Sequence, residues 1–333
     1  MAKPYIKSIS YYVPEKLVTN DDLSKIMDTS DEWIISHTGI KQRYFADKNE
    51  NNSDIAAKAA GIAMKKAGVT AEEIDFIIVC TSSGDHLAFP STACLVQEKL
   101  GAKNAGGFDL GAACTGFVFG VETAANFIRT GAYKNILVIG SEVLSRIMDM
   151  SDRNTAVLFG DGAGAALISA NDDKDGKESK SEIISSCLRL DGSGANALKR
   201  EAGGTAHPFI PGVTDPKDLC IYMNGRQVYN FAVKAVTDTI LKLIKKNNLT
   251  IDSIKYIIPH QANVRIIEAA ANRASIPLEK FYINIENFAN TSAATIPIAL
   301  SEVVEKGLIQ RGDNILTVGF GGGLTFGGNY IIW

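Results

Sequence analysis

The sequence predicts an α/β layered protein built from two duplicated βαβα halves, and three observations carry that reading. Apolar strand-like runs alternate with helical patterns along the chain, which is the order of a layered α/β fold. The segment EIDFIIV at 73–79 recurs as SIKYIIP at 253–259, an offset of 180 residues, and NILVIG at 135–140 recurs as NILTVG at 314–319, an offset of 179. Two separate segments repeating at nearly one spacing mark an internal duplication. Runs such as FIIVC and ILVIG are apolar on both faces, which predicts mostly parallel sheets covered by helices on each side.

In chain order, DIAAKAAGIAMKKAG at 54–68 reads as an amphipathic covering helix, with Ser53 as N-cap and Gly68 as its stop. The strand at 73–79 leads through a loop and a helical stretch to a second short strand, FDLG at 108–111. A turn of small residues and a helix ending near Gly131 follow, then NILVIG. FGDGAGAALI at 159–168 reads as a buried strand packed closely against another backbone, since glycines let two backbones approach. NDDKDGKESKS at 171–181 is charged, polar and without apolar periodicity, as an exposed connector should be. The halves are therefore 1–171 and 182–333. The second repeats the order: strand 253–259, the helical VRIIEAAANR, a short strand YINI at 282–285, a small-residue turn, a helix ending near Gly307, and NILTVG. GFGGGLTFGG at 319–328 then turns into a last strand over 324–333.

Composition limits the setting. At 333 residues the chain exceeds the roughly 250–300 that one core supports, in keeping with two halves. A hydrophobic content of 46% with 21% charged residues is ordinary for a soluble globular enzyme. The net charge of −3 argues against bulk nucleic-acid binding. Cys80, Cys94, Cys114, Cys187 and Cys220 are odd in number and scattered, which is not a disulfide framework and fits a reducing compartment. The opening MAKPYIKSISYYVPEK lacks the roughly 7–15-residue apolar core of a secretory signal, and no uncharged run approaches the ~20 apolar residues of a membrane span. The expectation is a cytoplasmic protein with no membrane segment.

Cys114 is the most informative position. It lies in FDLGAACTGFVFG at 108–120, where a short strand breaks into small residues and a helix begins. Unpaired N–H groups and the helix dipole at that point push a thiol toward thiolate, which predicts a nucleophile; a buried cysteine acting as a small hydrophobe also fits the pattern. His260, in KYIIPHQAN, stands at the carboxyl end of the repeated strand, where sites in such folds collect, as a candidate partner or as a hydrogen-bonded loop histidine. Asn290 occupies the turn that corresponds by duplication to the one bearing Cys114, so a pseudo-twofold axis would bring the two together; a helix-cap role for Asn290, Thr291 or Ser292 fits the same residues. The glycines of GFGGGLTFGG lack the following helix of a dinucleotide fingerprint and suit either a turn presenting backbone N–H groups to an oxyanion or a structural hairpin. Cys80, His86 and Cys94 lack paired metal-ligand spacing, so no metal is expected.

The combination of TSDEWI (29–34), HLAFPSTAC (86–94), AACTGF (112–117), FGDGAGAA (159–166), PHQANVR (259–265), NTSAA (290–294) and FGGGLTFG (320–327) resembles the β-ketoacyl-acyl carrier protein synthase III family, thiolase-fold enzymes that start type II fatty acid synthesis. The resemblance runs from the first strand to the C-terminus. It implies a five-layer αβαβα fold and a homodimer. It further implies a decarboxylative condensation of a short-chain acyl-coenzyme A, such as acetyl-coenzyme A, with malonyl-acyl carrier protein through an acyl-Cys114 intermediate. Coenzyme A enters there as part of a substrate, and no separate cofactor is implied. By the same resemblance Cys114, His260 and Asn290 are the catalytic triad, and the N–H groups of Cys114 and Gly322 form the oxyanion hole. Trp33 would stack on the coenzyme A adenine and Arg153 clamp it, with Thr29 and Asn263 along the pantetheine path. Phe89, Leu144 and Phe159 would bound the acyl pocket, Phe89 from across a dimer interface, and Arg265 and Arg273 would form the carrier-protein patch.

Two positions depart from the family pattern. His37 stands where relatives often place an arginine near the coenzyme A phosphates, and Ala289 stands where glycine is common, which requires a loop conformation that tolerates a Cβ. The alternative on the same fold is a relative that uses a different acceptor or condenses two acyl chains in secondary metabolism. A papain-type hydrolase also uses Cys, His and Asn, but the tandem duplication speaks against it.

Overall fold

The computed structural model describes residues 2–171 and 181–333; apart from its two end residues, the connector read at 171–181 lies outside them. One sheet has the order β1 (Lys3–Tyr12), β7 (Asp161–Asn171), β6 (Asn135–Val143), β4 (Phe76–Cys80), β5 (Gly106–Leu110). The other has the order β11 (Ile254–Pro259), β12 (Asn314–Gly321), β13 (Thr325–Ile332), β8 (Glu182–Leu190). Two small ribbons, β2 (Lys16–Thr19) with β3 (Gln42–Phe45) and β9 (Leu198–Arg200) with β10 (Ile221–Met223), flank them.

The helices complete five layers in αβαβα order. Helices α3 (Asn52–Ala67) and α4 (Thr92–Leu100) cover the first sheet, while α7 (Gly225–Lys246) and α8 (Val264–Ala274) cover the second. Between the sheets lie α5 (Gly116–Arg129) and α10 (Thr295–Glu305), one from each repeat. Short helices α1 (Asn20–Ser24), α2 (Asp31–Thr38), α6 (Arg153–Ala156) and α9 (Ile285–Phe288) sit in the loops. The middle layer is apolar all round because both faces are covered: α5 buries Phe117, Val118, Val121 and Ile128, and α10 buries Ile296, Leu300 and Val303. Ile78 and Val138 from the first sheet and Ile258 and Ile315 from the second join them in one continuous core.

Three expectations need correction. The sheets are mixed rather than mostly parallel: β4 runs parallel to β5 and β6, and β11 to β12, but β1–β7, β6–β7, β12–β13 and β13–β8 are antiparallel. The three-residue turn Gly322–Leu324 between β12 and β13 can close only an antiparallel pair. YINI forms no strand; its register reduces to one parallel bridge between Phe281 and Ile257. The Asn284 N–H is taken by Gln261 Oε1 at 3.2 Å and its amide by Glu302 Oε2 at 2.6 Å, so the ladder stops there. Helix α3 is capped at Asn51, whose N–H donates to Asp54 Oδ2 at 2.8 Å; Ser53 lies inside the helix and donates its hydroxyl to Asp85 Oδ2 at 2.6 Å. Gly68 ends that helix in the left-handed conformation, as expected.

The repeats meet through glycines at equivalent positions of β6 and β12. A Cβ on Gly140 would lie 2.7 Å from the carbonyl carbon of Ala293 in the rear turn, and one on Gly319 would lie 3.2 Å from Thr115 Cγ2 in the front turn. Likewise a Cβ on Gly164 of β7 would lie 2.7 Å from Pro297 Cβ and 3.0 Å from the Ile298 nitrogen of α10, the close backbone approach read from FGDGAGAALI. Gly140→Ala should therefore wedge the repeats apart. We expect a loss of about 3 kcal/mol, read from the denaturant midpoint, because backbone rather than a flexible side chain must give way.

Candidate active site

Three segments each deliver one group: the turn after β5, the end of β11 and the turn after α9. In the front turn Ala113–Thr115 form a single 3-10 turn immediately before α5, which places Cys114 at the positive end of that helix. Gly321, closing β12, leaves room for it: a Cβ there would sit 2.7 Å from the Cys114 nitrogen. The Thr115 hydroxyl locks the turn by donating to Ala112 O at 2.6 Å and lying 2.7 Å from Thr325 Oγ1.

Cys114 is only 7% exposed, and this reverses the expected shift of its thiol. Burial pushes it up to about 12; the nearby Ser292 hydroxyl opposes that rise and the nearby Glu142 charge adds to it. Half a unit of dipole charge does not outweigh the loss of water around a thiolate, so the resting group is a thiol.

His260 continues the β11 ladder, its N–H donating to Val318 O at 2.7 Å. Its Nδ1 lies 2.7 Å from Thr295 Oγ1 and its ring packs edge-on against Phe320 at 5.1 Å. Burial lowers it to about 3, so it is a neutral imidazole at neutral pH. Asn290 is stitched to the front repeat: its N–H donates to Leu158 O at 2.9 Å and its carbonyl accepts from the Gly160 N–H at 3.1 Å. The Ser292 N–H donates to Asn290 Oδ1 at 2.8 Å, so the amide nitrogen is the end left for the cavity.

Ala289 does not adopt a conformation that suits a Cβ. It holds φ 57° and ψ −159°, a region that is essentially glycine-only, and this corrects the expectation for that loop. The Asn290 bridge to Phe159 on one side and the short α9 on the other leave the backbone no alternative path.

Cys114, His260 and Asn290 line one cavity of about 1060 Å³, with Phe320 and Gly321 beside them and Trp33, His37 and Asn263 toward solvent. A smaller cavity of about 260 Å³ branches from Cys114 and is lined by Leu144, Phe159, Ile147, Ser292 and Gly322. Trp33 is stacked on His37 at 4.3 Å, and the Arg153 guanidinium lies over its ring at 4.9 Å while donating to Asp28 O at 2.9 Å. Asn263 caps α8 through the Arg265 N–H at 2.9 Å and donates to His37 O, also at 2.9 Å; Arg265 itself donates to Ser36 O. Arg265 and Arg273 are both exposed on α8.

Other residues singled out in the sequence lie elsewhere. Phe89 is 84% exposed and lines neither cavity of the single chain. Thr29 and Arg153 stand outside both cavity walls, and the Thr29 hydroxyl is buried without a partner. Sequence reasoning missed Ser292, Thr295, Phe320 and Glu142, all within this network. It also missed the wall built by residues between Asn196 and Tyr229. The one legible signal was Glu142, an acid within the otherwise apolar strand NILVIGSEV.

Comparison with known proteins agrees with this architecture. Residues 108–192 match the family described as 3-Oxoacyl-[acyl-carrier-protein (ACP)] synthase III, and residues 244–333 match its C-terminal counterpart. The chain is 53% identical over 325 residues to the beta-ketoacyl-[acyl-carrier-protein] synthase III of Clostridium acetobutylicum, covering 97% of this chain and 96% of that one. It is 49% identical over 333 residues to that of Natranaerobius thermophilus, covering both chains fully. The crystal structure of 3-oxoacyl-[acyl-carrier-protein] synthase III from Aquifex aeolicus superposes with a TM-score of 0.89 at 41% identity, over 99% of this chain and 100% of that one. The fold thus defines a thiolase-type condensing enzyme, an acyltransferase. The chain belongs to the 3-oxoacyl-[acyl-carrier-protein] synthase III family.

Two outcomes follow from the site's strain and titration. Ala289→Gly should raise stability by about 1 kcal/mol in urea unfolding, because it relieves a glycine-type backbone angle. His260 refuses in the folded state a proton that the unfolded chain binds below about pH 6.5. Stability should therefore be fully present above that pH and fall as pH drops toward 3, by at most ~1.4 kcal/mol per unit. His260→Gln should flatten that limb when unfolding midpoints are compared at pH 7, 5 and 4.

Proposed function

We propose that the protein condenses a short-chain acyl-coenzyme A, acetyl-coenzyme A foremost, with malonyl-acyl carrier protein, releasing carbon dioxide and forming a 3-oxoacyl-carrier product through acyl-Cys114. The observation that carries this reading is the convergence of Cys114, His260 and Asn290 on one buried cavity with a small apolar branch at the sulfur. Membership of the family supports it.

In the first half-reaction the Cys114 sulfur attacks the thioester carbonyl, the oxyanion is met by the N–H groups of Cys114 and Gly322, and coenzyme A leaves. Leu144 and Phe159 bound the branch that takes the acyl chain. In the second, malonyl-carrier loses carbon dioxide, and the enolate oxygen accepts hydrogen bonds from Asn290 and His260 before its carbon attacks the acyl-Cys. A neutral imidazole suits this: it donates from one ring nitrogen and carries no charge to be shielded, while its Nδ1 is held 2.7 Å from Thr295 Oγ1. Neither donor gains or loses a charge in a site closed to water.

Thr29 and Asn263 would line the pantetheine path, with Trp33 stacked on the adenine and Arg153 clamping it. An adenine intercalated between Trp33 and Arg153 needs about 7 Å, two contact distances of about 3.5 Å, against the 4.9 Å present, so Arg153 must swing outward. Exposed Leu87 and Phe89, at 70% and 84%, support a homodimer in which Phe89 reaches the partner's acyl branch. Exposed Arg265 and Arg273 support docking of an acidic carrier protein. Coenzyme A enters as substrate, without a separate cofactor or nucleic acid. No helix among the described residues is long and apolar enough to cross a membrane, and the setting proposed is cytoplasmic.

The test is labelled acetyl-coenzyme A followed by malonyl-acyl carrier protein. Label should appear on wild-type Cys114 and be absent from Cys114→Ser. Asn290→Ala should still acylate but lose on the order of 10²–10³-fold in condensation. Full turnover by Cys114→Ser, or acyl transfer without carbon dioxide release, would overturn the reading.

A further inference from the structure

We propose that Glu142 is a positioning residue for condensation: through the Ser292 hydroxyl it fixes the rear turn, so that the Asn290 carboxamide keeps its nitrogen toward the cavity. The inference rests on the reading of Asn290 as a donor to the enolate and adds the residue that holds it in place.

Glu142 lies in β6 of the front repeat and is fully buried. Thr81 Oγ1 donates to its Oε2 at 3.2 Å, the Ser82 N–H to the same oxygen at 3.1 Å, and Ser83 Oγ also to Oε2. Those donors are themselves held: Thr81 Oγ1 accepts from the Asn52 amide at 2.7 Å, and Ser83 Oγ from the Val143 N–H at 2.9 Å. A carboxylate gripped in this way on one oxygen does not rotate, and it offers the other as a fixed point. The Ser292 hydroxyl donates to that oxygen, Oε1, at 3.0 Å across the seam between the repeats. The Ser292 N–H in turn donates to Asn290 Oδ1 at 2.8 Å. The bonds of Asn290 to Leu158 and Gly160 are made by its backbone and leave its side-chain torsions free. The orientation of the amide therefore follows from where the Ser292 N–H points.

The duplication explains why the rear turn needs this lock. At the 179-residue offset Ser292 corresponds to Ala113, and both hold a positive φ, 49° and 45°. The front turn is locked by Thr115, whose hydroxyl donates to Ala112 O at 2.6 Å and meets Thr325 Oγ1 of the rear repeat at 2.7 Å. Its counterpart in the rear turn is Ala294, which has no hydroxyl. Glu142 corresponds to Gly321, where a Cβ would sit 2.7 Å from the Cys114 nitrogen. The repeats thus differ in a matched pair: the second lacks a side chain where Cys114 must fit, and the first carries one that reaches Ser292. Left-handed backbone at a residue other than glycine persists only where its surroundings hold it. Releasing the Ser292 hydroxyl lets the turn relax and carries its N–H off the Asn290 oxygen.

Paired assays on the full chain test this: labelled acetyl-coenzyme A reports acylation of Cys114, and carbon dioxide release from malonyl-acyl carrier protein reports condensation. Ser292→Ala should lose on the order of 10-fold in condensation while acylation changes by less than about threefold. Ser292→Gly should lose at least as much, since it removes the same hydroxyl and frees the backbone. If Ser292 had only to tolerate its φ, glycine would instead match or exceed wild type. Glu142→Ala should show the same split between the two half-reactions; should it fail to fold, the Ser292 variants decide, because they leave the carboxylate and its other donors in place. In the Asn290→Ala background Ser292→Ala should cost less than about a further twofold, because the amide it orients is gone. Wild-type condensation by Ser292→Ala, Ser292→Gly or Glu142→Ala, or multiplicative losses in the Asn290→Ala background, would overturn the proposal and leave the reading of the site intact. No carbon dioxide release by wild type, or full condensation by Asn290→Ala, would overturn both.

Discussion

The fold depends on one close approach: two turns, one from each repeat, press into the opposite repeat through positions that carry no side chain. Gly140 admits the Ala293–Ala294 backbone, Gly319 admits Thr115, and Gly321 admits Cys114 itself. The seam is dense because α5 and α10, the helices that follow those turns, fill the middle layer against both sheets. Interiors packed to crystal-like density transmit small displacements, so the placement of the sulfur, imidazole and carboxamide follows from how tightly the seam closes.

The same closure sets the electrostatics. With water excluded, the Cys114 thiol rises, the His260 imidazole falls and the Glu142 carboxyl rises, so all three are driven toward their neutral forms. A site of this kind suits chemistry in which charge moves between groups or onto a substrate oxygen, rather than chemistry that rests on a permanent ion pair. Strain gathers at the same place. Ala113, Ala289, Ser292 and Leu324 all hold positive φ without being glycine, and each belongs to a turn that faces the cavity. Such angles persist only where surrounding structure over-determines them, and here the seam supplies that constraint.

Ser292 connects these features. Its N–H orients Asn290, its hydroxyl donates to Glu142 at the edge of the small cavity it shares with Cys114, and its carbonyl accepts from Thr295, whose oxygen touches the His260 ring. A single residue at the start of the rear turn therefore touches the surroundings of every group in the site. The strand-like repeats gave no hint of this, because a serine in NTSAA is equally a helix cap, and only its neighbours in space distinguish the roles.

What the sequence alone determined is whatever periodicity and duplication encode. The two-faced apolar strands, the Gly68, Gly131 and Gly307 helix stops, and the equivalence of the Cys114 and Asn290 turns are local or repeated patterns, legible without a partner. What only the tertiary structure decided are quantities set by distant contacts. The direction of the Cys114 shift does not follow from the sequence because the dipole is local and visible, whereas burial comes from the opposite repeat, where Gly321 packs against Cys114. YINI looked like a strand until Gln261 and Glu302 took its amide groups, and Ala289 kept a glycine's backbone angle because both its neighbours are pinned. Strand propensity and helix stops are properties of a segment; burial, register and strain belong to the whole packed chain.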